Sequence, residues 1–377
     1  MDKLSSEIVI DILSRLPIKS LVRCRCVCKS WFHLTHDMHL IDTHLSISSK
    51  NEIFTGLILK SSIPIHRTCW HSKLSFVHND GTDDYKCVNF NLSLPLLHNY
   101  EIMGSCNGLL CLFDPIVKYL THILNPCTGE FVFLPDPIRD LEDPVSVVVG
   151  FGFLPKMNVY KVVEIVYYKR EIVDDDNDDL RSNVYVYTMG DDNSWRHIGS
   201  SPYSLRGRYF SEGFVDGAVH WVSSGYDGPK LVDRIVAFDL ENEVFRVIPH
   251  PDFDSGRLNY TLGVLQGCLS ATRFKVQDYV EIWIMKDYGV KESWTKCLKI
   301  VCSEVGLMIG AVRPLLFQRN GEVMLQHGGT LFCYNPLTKK LRELRISGMP
   351  RSFKAFIHVG SLVSPRKLLK CESTEFA

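Results

Sequence analysis

The chain has 377 residues, 45% of them hydrophobic and 23% charged, the balance of a globular protein with room for a large core and more than one domain. Forty-two basic residues meet 43 acidic ones, for a formal net charge of −1. No global field draws such a chain to nucleic acid or to an anionic membrane, so its partners are selected by shape and local chemistry.

At the N-terminus, Glu7, Asp11 and Arg15 interrupt the apolar stretch that a signal peptide would need. The longest apolar run, Val145 to Pro155, falls short of the roughly 18 residues of a membrane helix. A reducing compartment, cytoplasm or nucleus, is therefore expected. Thirteen cysteines, an odd number in a large chain, read as free thiols acting as small hydrophobes rather than as disulfides. The sequons at Asn91 and Asn259 are then chance matches.

Residues 4–45 read as helices. In "SSEIVIDILSRLP", Ile8, Val9, Ile12, Leu13 and Leu16 follow helical spacing. Ser5 or Ser6 can cap the start, and Glu7 and Asp11 suit the positive end of the helix dipole. Pro17 stops the helix by biasing Leu16 out of the α region. A second helix starts near Ser20, and a third covers Lys29 to His36. Three short helices bury little surface alone, and such a unit needs a partner.

The stretch "RCRCVCKSW", Arg23 to Trp31, puts Cys24, Cys26 and Cys28 on alternate residues. That is not the spacing of a zinc site. On one helix 24 and 28 share a face while 26 points nearly opposite, so the three cannot converge on one ion. Arg23, Arg25 and Lys29 read as a solvated face, too few for a nucleic-acid surface. His33, His36, His39 and His44 follow closely and read as surface and packing histidines. No metal and no cofactor are expected.

From about residue 50 the grammar changes. Short strand-like runs alternate with turn signals, which argues for an all-β domain of about 320 residues. One unit recurs, with a turn ending in glycine followed by several strands. Its marker glycines are Gly108, Gly217, Gly267 and Gly321, with separations of 109, 50 and 54 residues. The long gap leaves room for one more unit, from Gly150 to about Gly199. A period near 50 resembles a β-propeller of kelch type, here of about six blades. The strands "FTGLILK" and "AFIHVGSLV" could close the ring. A large β-sandwich or irregular barrel is the alternative.

Asp174 to Asn183 mimics the start of a calcium loop, but Asp179 stands where glycine is required and Tyr185 where the bidentate glutamate should be. It reads as a solvated loop, with an acidic lip for a basic target as the functional alternative. No G-x-S-x-G, P-loop or Rossmann glycine pattern occurs. Two polar, glycine-rich loops, 199–210 and 223–234, carry aromatics and arginines of the kind that anchor binding. Tyr203, Arg206, Arg208, Tyr209, Tyr226 and Arg234 are the candidate target contacts.

The segment "KLSSEIVIDILSRLPIKSLVRCRCVCKSWFHLTHDMHLIDTHL" resembles an F-box of the plant type. The matching residues include Leu4, Glu7, Ile8, Leu16, Pro17, Lys19, Leu21, Val27, Cys28, Lys29, Trp31 and His44. The usual Pro after Leu4 is here Ser5, which would loosen the first adaptor contact. "GSCNGLLCL", "NPCTGEFVFLP" and "GFGF…YKVV" resemble the F-box-associated domain of many plant members. The resemblance implies docking on a Skp-type adaptor and, through it, on a cullin and a RING protein. The β domain would hold an unidentified protein target for ubiquitination, and the chain would do no chemistry itself. Leu4, Ile8, Leu16, Pro17, Leu21, Val27, Cys28 and Trp31 would form the adaptor interface and its immediate support. For Ile12 and Leu13, packing inside the helical unit weighs at least equally.

The expected fold is thus an α+β multidomain chain. It has a three-helix F-box over 1–45, an F-box-associated β-propeller-like domain over 46–365 and a C-terminal tail over 366–377. The expected function is substrate recognition within a Skp–cullin–F-box ubiquitin ligase, with no nucleic acid or membrane partner. The alternatives are an F-box scaffold acting without degradation, and a propeller-type ligand-binding protein or hydrolase.

Overall fold

The computed structural model describes residues 5–50, 55–66, 69–79, 85–90, 99–114, 120–137, 143–169, 180–190, 194–205, 213–227, 230–253, 260–275, 278–305 and 312–369. The described N-terminal helices are α1 (Ser6–Ser14), α2 (Ile18–Cys24), α3 (Lys29–Leu34) and α4 (Met38–Lys50). The first three match the expected helices. The fourth was not separated in the sequence. Asp37 starts it, its carboxylate accepting the His39 amide at 2.7 Å.

Six four-stranded antiparallel sheets follow, and the β part is a six-bladed propeller. Blade 1 contains β1 (Thr55–His66), β2 (Cys69–Asn79), β3 (Tyr85–Asn89) and the last strand of the chain, β24 (Lys354–Val359). Blade 2 is β4 (Glu101–Cys106), β5 (Leu109–Phe113), β6 (Thr121–Leu124) and β7 (Phe131–Phe133). Blade 3 is β8 (Ser146–Leu154), β9 (Val159–Lys169), β10 (Leu180–Thr188) and β11 (Trp195–Gly199). Blade 4 is β12 (Gly213–Val215), β13 (Ala218–Asp227), β14 (Lys230–Asp239) and β15 (Val244–Ile248). Blade 5 is β16 (Tyr260–Leu265), β17 (Cys268–Lys275), β18 (Tyr279–Met285) and β19 (Trp294–Val301). Blade 6 is β20 (Val312–Phe317), β21 (Val323–His327), β22 (Thr330–Asn335) and β23 (Lys340–Glu343).

The expected pairing of the first and last strands is present. Thr55 lies opposite Val359 and Leu57 opposite Ile357, so β24 joins the sheet of β1. The marker glycines fall in the turn between the first and second strands of blades 2, 4, 5 and 6. In three of them both turn residues have positive φ: Asn107–Gly108, Asp216–Gly217 and Gln266–Gly267. That backbone belongs to the two-residue hairpin turn whose twist matches the flanking strands, and glycine adopts it without strain. In blade 3 Asn158 takes the left-handed position instead, at φ 55°. This explains the gap of 109 residues in the glycine period. Gly150 lies inside β8 rather than at a turn, and a Cβ there would come within 3.0 Å of Val163, Trp221 and Val219.

The chain divides into two compact units, Met1–Leu134 with Ile346–Ala377, and Pro135–Arg345. The first holds the helices and blades 1 and 2, with a core of Ile58, Phe76, Ile102, Leu110, Leu112 and Phe356. The second holds blades 3 to 6. In its strand β9 all residues from Tyr160 to Tyr168 are buried. A short helix α5 (Cys302–Val305) follows β19, and the expected tail begins within the short helix α6 (Pro365–Leu368).

Candidate functional site

The helical unit presents the first candidate surface. Ser5 caps α1, its hydroxyl accepting the Ile8 amide at 3.5 Å, and Glu7 occupies the first turn. Leu13, Ile18, Leu21, Leu40 and Ile41 are buried. Leu21 therefore belongs to the support of the surface and not to the surface itself. Pro17, the N-cap residue of α2, is exposed, as is Cys28, the N-cap residue of α3; Leu16 and Trp31 are half-buried. Leu4 lies outside the described residues.

Ile8 is 48% exposed and Val27 62%. Ile12, Phe32 and Met38 are about half exposed as well. The helical unit thus leaves five large apolar side chains open to water. From sequence, packing weighed at least equally for Ile12, and Phe32 and Met38 were not selected. Helical spacing places Ile12 one turn after Ile8, on the same side of α1. The pair Ile12 and Leu13 is resolved, with Leu13 inside and Ile12 outside.

The cysteines and histidines of this unit separate. Cys24 is buried, while Cys26 and Cys28 are exposed, and all three are free. His44 is buried, and its Nε2 donates to the carbonyl of Leu16 at 3.1 Å, tying α4 to the end of α1. Burial pushes the His44 pKa below its ordinary value, against the opposing effect of that hydrogen bond. The ring is therefore a neutral packing element at pH 7. Among the described residues, no group of three or more His, Cys, Asp and Glu side chains could hold a metal ion.

The second candidate surface comprises the stretches 199–210 and 223–234; the latter is not the loop expected from its glycines but the paired ends of β13 and β14, with Ser223 to Asp227 facing Lys230 to Arg234. The Tyr203 carbonyl accepts hydrogen bonds from the Tyr167 hydroxyl at 2.9 Å and from the Ser201 hydroxyl at 3.0 Å. The Tyr203 ring is half-buried, edge-on to Phe245 at 6.3 Å, so part of its surface supports the blade 3 and 4 core. Arg234 is half-buried on β14, opposite Ser223 of β13. Tyr226 pairs with Leu231 near the end of the same hairpin, and its side chain lies outside the description. Arg206, Arg208 and Tyr209 lie outside the described residues, as do 174–179 of the acidic stretch.

Comparison with known proteins identifies the two parts of the chain. Residues 1–43 match the F-box domain family, and residues 61–367 match the F-box associated beta propeller domain family. The chain belongs to the F-box proteins with an F-box-associated β-propeller. It is 32% identical to F-box protein At3g07870 of Arabidopsis thaliana, covering 96% of this chain and 92% of that one. It is 29% identical to the F-box protein CPR1 of the same plant, over 96% of this chain and 89% of that one. With the F-box/kelch-repeat protein At3g23880, also of Arabidopsis thaliana, it shares 26% identity over 96% of each chain. The F-box thus ends within α4, and the exposed Ile8, Ile12, Val27, Phe32 and Met38 all belong to it. F-box β-propeller proteins act in general as non-catalytic adaptors for substrate recognition. Ser5, which replaces the usual Pro of the F-box pattern, has a task of its own as the cap of α1.

Proposed function

We propose that this F-box protein is the substrate-recognition subunit of a Skp–cullin–F-box ubiquitin ligase, working in the cytoplasm or nucleus. The F-box binds a Skp-type adaptor, the adaptor recruits cullin and a RING protein, and the propeller holds a protein target. The chain forms and breaks no covalent bonds. Its contribution is proximity, since a target held beside a ubiquitin-loaded enzyme reacts as if at very high concentration, and specificity, through the choice of target. The observation that carries the reading is the exposed apolar surface of the F-box. Ile8 is 48% and Val27 62% open to water, an unusual setting for large apolar side chains unless a partner covers them.

Both side chains can be changed without touching the core. Ile8→Asp and Val27→Asp are each expected to weaken adaptor binding at least about tenfold, the loss typical of an apolar anchor at an interface centre. Thermal unfolding should stay within about 2 °C of wild type, as for surface changes of about 0.5 kcal/mol or less. Titration of the purified chain with adaptor, followed by calorimetry, measures this. Full affinity in both variants would remove the exposed apolar surface from the interface.

A further inference from the structure

We propose that residues 360–369, which follow the last propeller strand, act as a clasp fixing the F-box helices on blades 1 and 2, so that helices and blades move as one body. On the blade side the segment is tightly bound. The Asn125 side-chain amide donates to the carbonyls of Ser361 at 3.0 Å and Val363 at 2.8 Å. Its oxygen accepts the amides of Cys127 and Thr128 at 2.8 and 3.3 Å. One buried side chain therefore joins the clasp to the β6–β7 turn with its hydrogen-bonding capacity filled. The Ser361 hydroxyl donates to the Asn107 carbonyl at 2.8 Å, in the β4–β5 turn. The backbones approach so closely there that a Cβ on Gly108 would lie 2.1 Å from the Ser361 Oγ. Leu362, Val363 and Leu369 are buried.

On the helix side the same segment meets the F-box. A Cβ on Gly360 would come within 2.8 Å of Ile18, the first residue of α2, and 3.0 Å of the Cys127 sulfur. Only glycine lets α2 settle this closely. Glu130 faces two elements. Its carboxylate accepts the hydroxyl of Ser364, the N-cap of α6, and pairs with Arg25, the C-cap of α2, at 3.9 Å. The Lys367 ammonium donates to the carbonyl of His36, between α3 and α4, at 3.1 Å. On a second line of contact, Lys19 reaches the ring of His78 in β2 at 3.1 Å. The clasp thus contacts blade turns from two hairpins on one side and α2 and the α3–α4 connection on the other.

A rigid joint of this kind fixes how blades 1 and 2 are held relative to a bound adaptor. Its value for ubiquitin transfer rests on the ligase reading above. The coupling itself is a property of the isolated chain. Asn125, Glu130 and Gly360 are positioning residues in this sense, since none lies on the exposed apolar surface of the F-box.

Hydrogen exchange of the full-length chain, read segment by segment, tests the clasp. In Gly360→Val, amides of α1, α2 and α4 are expected to exchange about tenfold faster or more, by local opening of the joint. In Glu130→Ala, which removes one carboxylate without adding bulk, a rise of about threefold is expected in the same helices. Amides of β8 to β23 should exchange at the wild-type rate in both variants, and adaptor affinity should stay within about threefold of wild type. Unchanged helix exchange in Glu130→Ala overturns the proposal, even if Gly360→Val fails to fold. So does a rise shared equally by helices and all blades. Absence of adaptor binding by the wild type would remove the ligase reading and leave the exchange result standing.

Discussion

Trp221→Ala is expected to destabilise blades 3 and 4 by about 3–5 kcal/mol, the loss usual for a large aromatic removed from a packed core. Trp221 is fully buried on β13, among Val148, Val163, Ile165, Val236 and Phe238. Its indole nitrogen has no hydrogen-bond partner among the described residues, so the loss is one of packing alone. The cavity does not close easily, because the opposing strand β8 already approaches as near as it can. A Cβ on Gly150 would lie 3.0 Å from the Trp221 ring. The complementary variant, Gly150→Val, fails in the opposite sense, by overpacking the same contact, at a cost of about 1–3 kcal/mol or more. Denaturant unfolding measures both. A shift below about 1 kcal/mol in Trp221→Ala would mean that this inter-blade contact contributes little.

The second large effect is acid sensitivity. His122, His220 and His358 are buried, and burial is the main cause that lowers each pKa from 6.5 to about 4. His44 is lowered by the same cause. The His220 Nε2 lies 2.7 Å from the Tyr288 hydroxyl and its Nδ1 3.2 Å from the Gly213 carbonyl; the neutral ring donates to the carbonyl and accepts from the hydroxyl. The His358 Nδ1 lies 3.1 Å from the Ser105 hydroxyl, joining β24 to β4. Each folded-state pKa is depressed, so below pH 6.5 the unfolded chain binds more protons than the folded one. The contribution of each ring is fully present above pH 6.5, declines as the pH falls, and is lost once the pH is below about 4. At pH 5 the loss is on the order of 1–2 kcal/mol for each of these three rings.

The carboxylates of Asp239 and Glu243 act lower on the scale. Burial would raise their pKa values, but it is outweighed, for Asp239 by hydrogen bonds from Asn242 and Glu241 and for Glu243 by Arg196 and Lys161, and both end low. Their contributions are lost as the pH falls below the ordinary carboxylate range, which separates them from the histidines. Urea unfolding at pH 7.5 and 5.0 should therefore show a loss of several kcal/mol, and His122→Phe should reduce it. His122 is a suitable position because its ring already packs edge-on against Phe133, at 4.3 Å. Equal stability at the two pH values would contradict the neutral-histidine assignment.

What could be read in the sequence divides along physical lines. The first helix was legible because Ile8, Ile12, Leu13 and Leu16 repeat at helical spacing and Ser5 is a good cap. The blades were legible through Gly108, Gly217, Gly267 and Gly321, because a left-handed turn leaves a glycine signature. Where Asn158 satisfies the same geometry, the signature disappears. The first strands of the blades were hard to see, since β12 has three residues and β4 contains Gly104. Helix α4 was missed because "MHLIDTHLSISSK" is rich in Ser, Thr and His, which have weak helix propensity, and tertiary burial of Leu40, Ile41 and His44 decides it. The clasp was invisible for another reason. Asn125, Glu130 and Gly360 meet their clasp and helix partners across more than 100 residues of chain, and no local pattern encodes such contacts.

The central claim, that this chain is the receptor of a cullin-based ligase, is tested most directly by reconstitution. The purified full-length protein is mixed at about micromolar concentration with a Skp-type adaptor and the adaptor-binding part of a cullin, then separated by size with mass detection. The account predicts a single complex with one copy of each, and separate elution of the Ile8→Asp variant. Separate elution of the wild-type chain from the adaptor would contradict it.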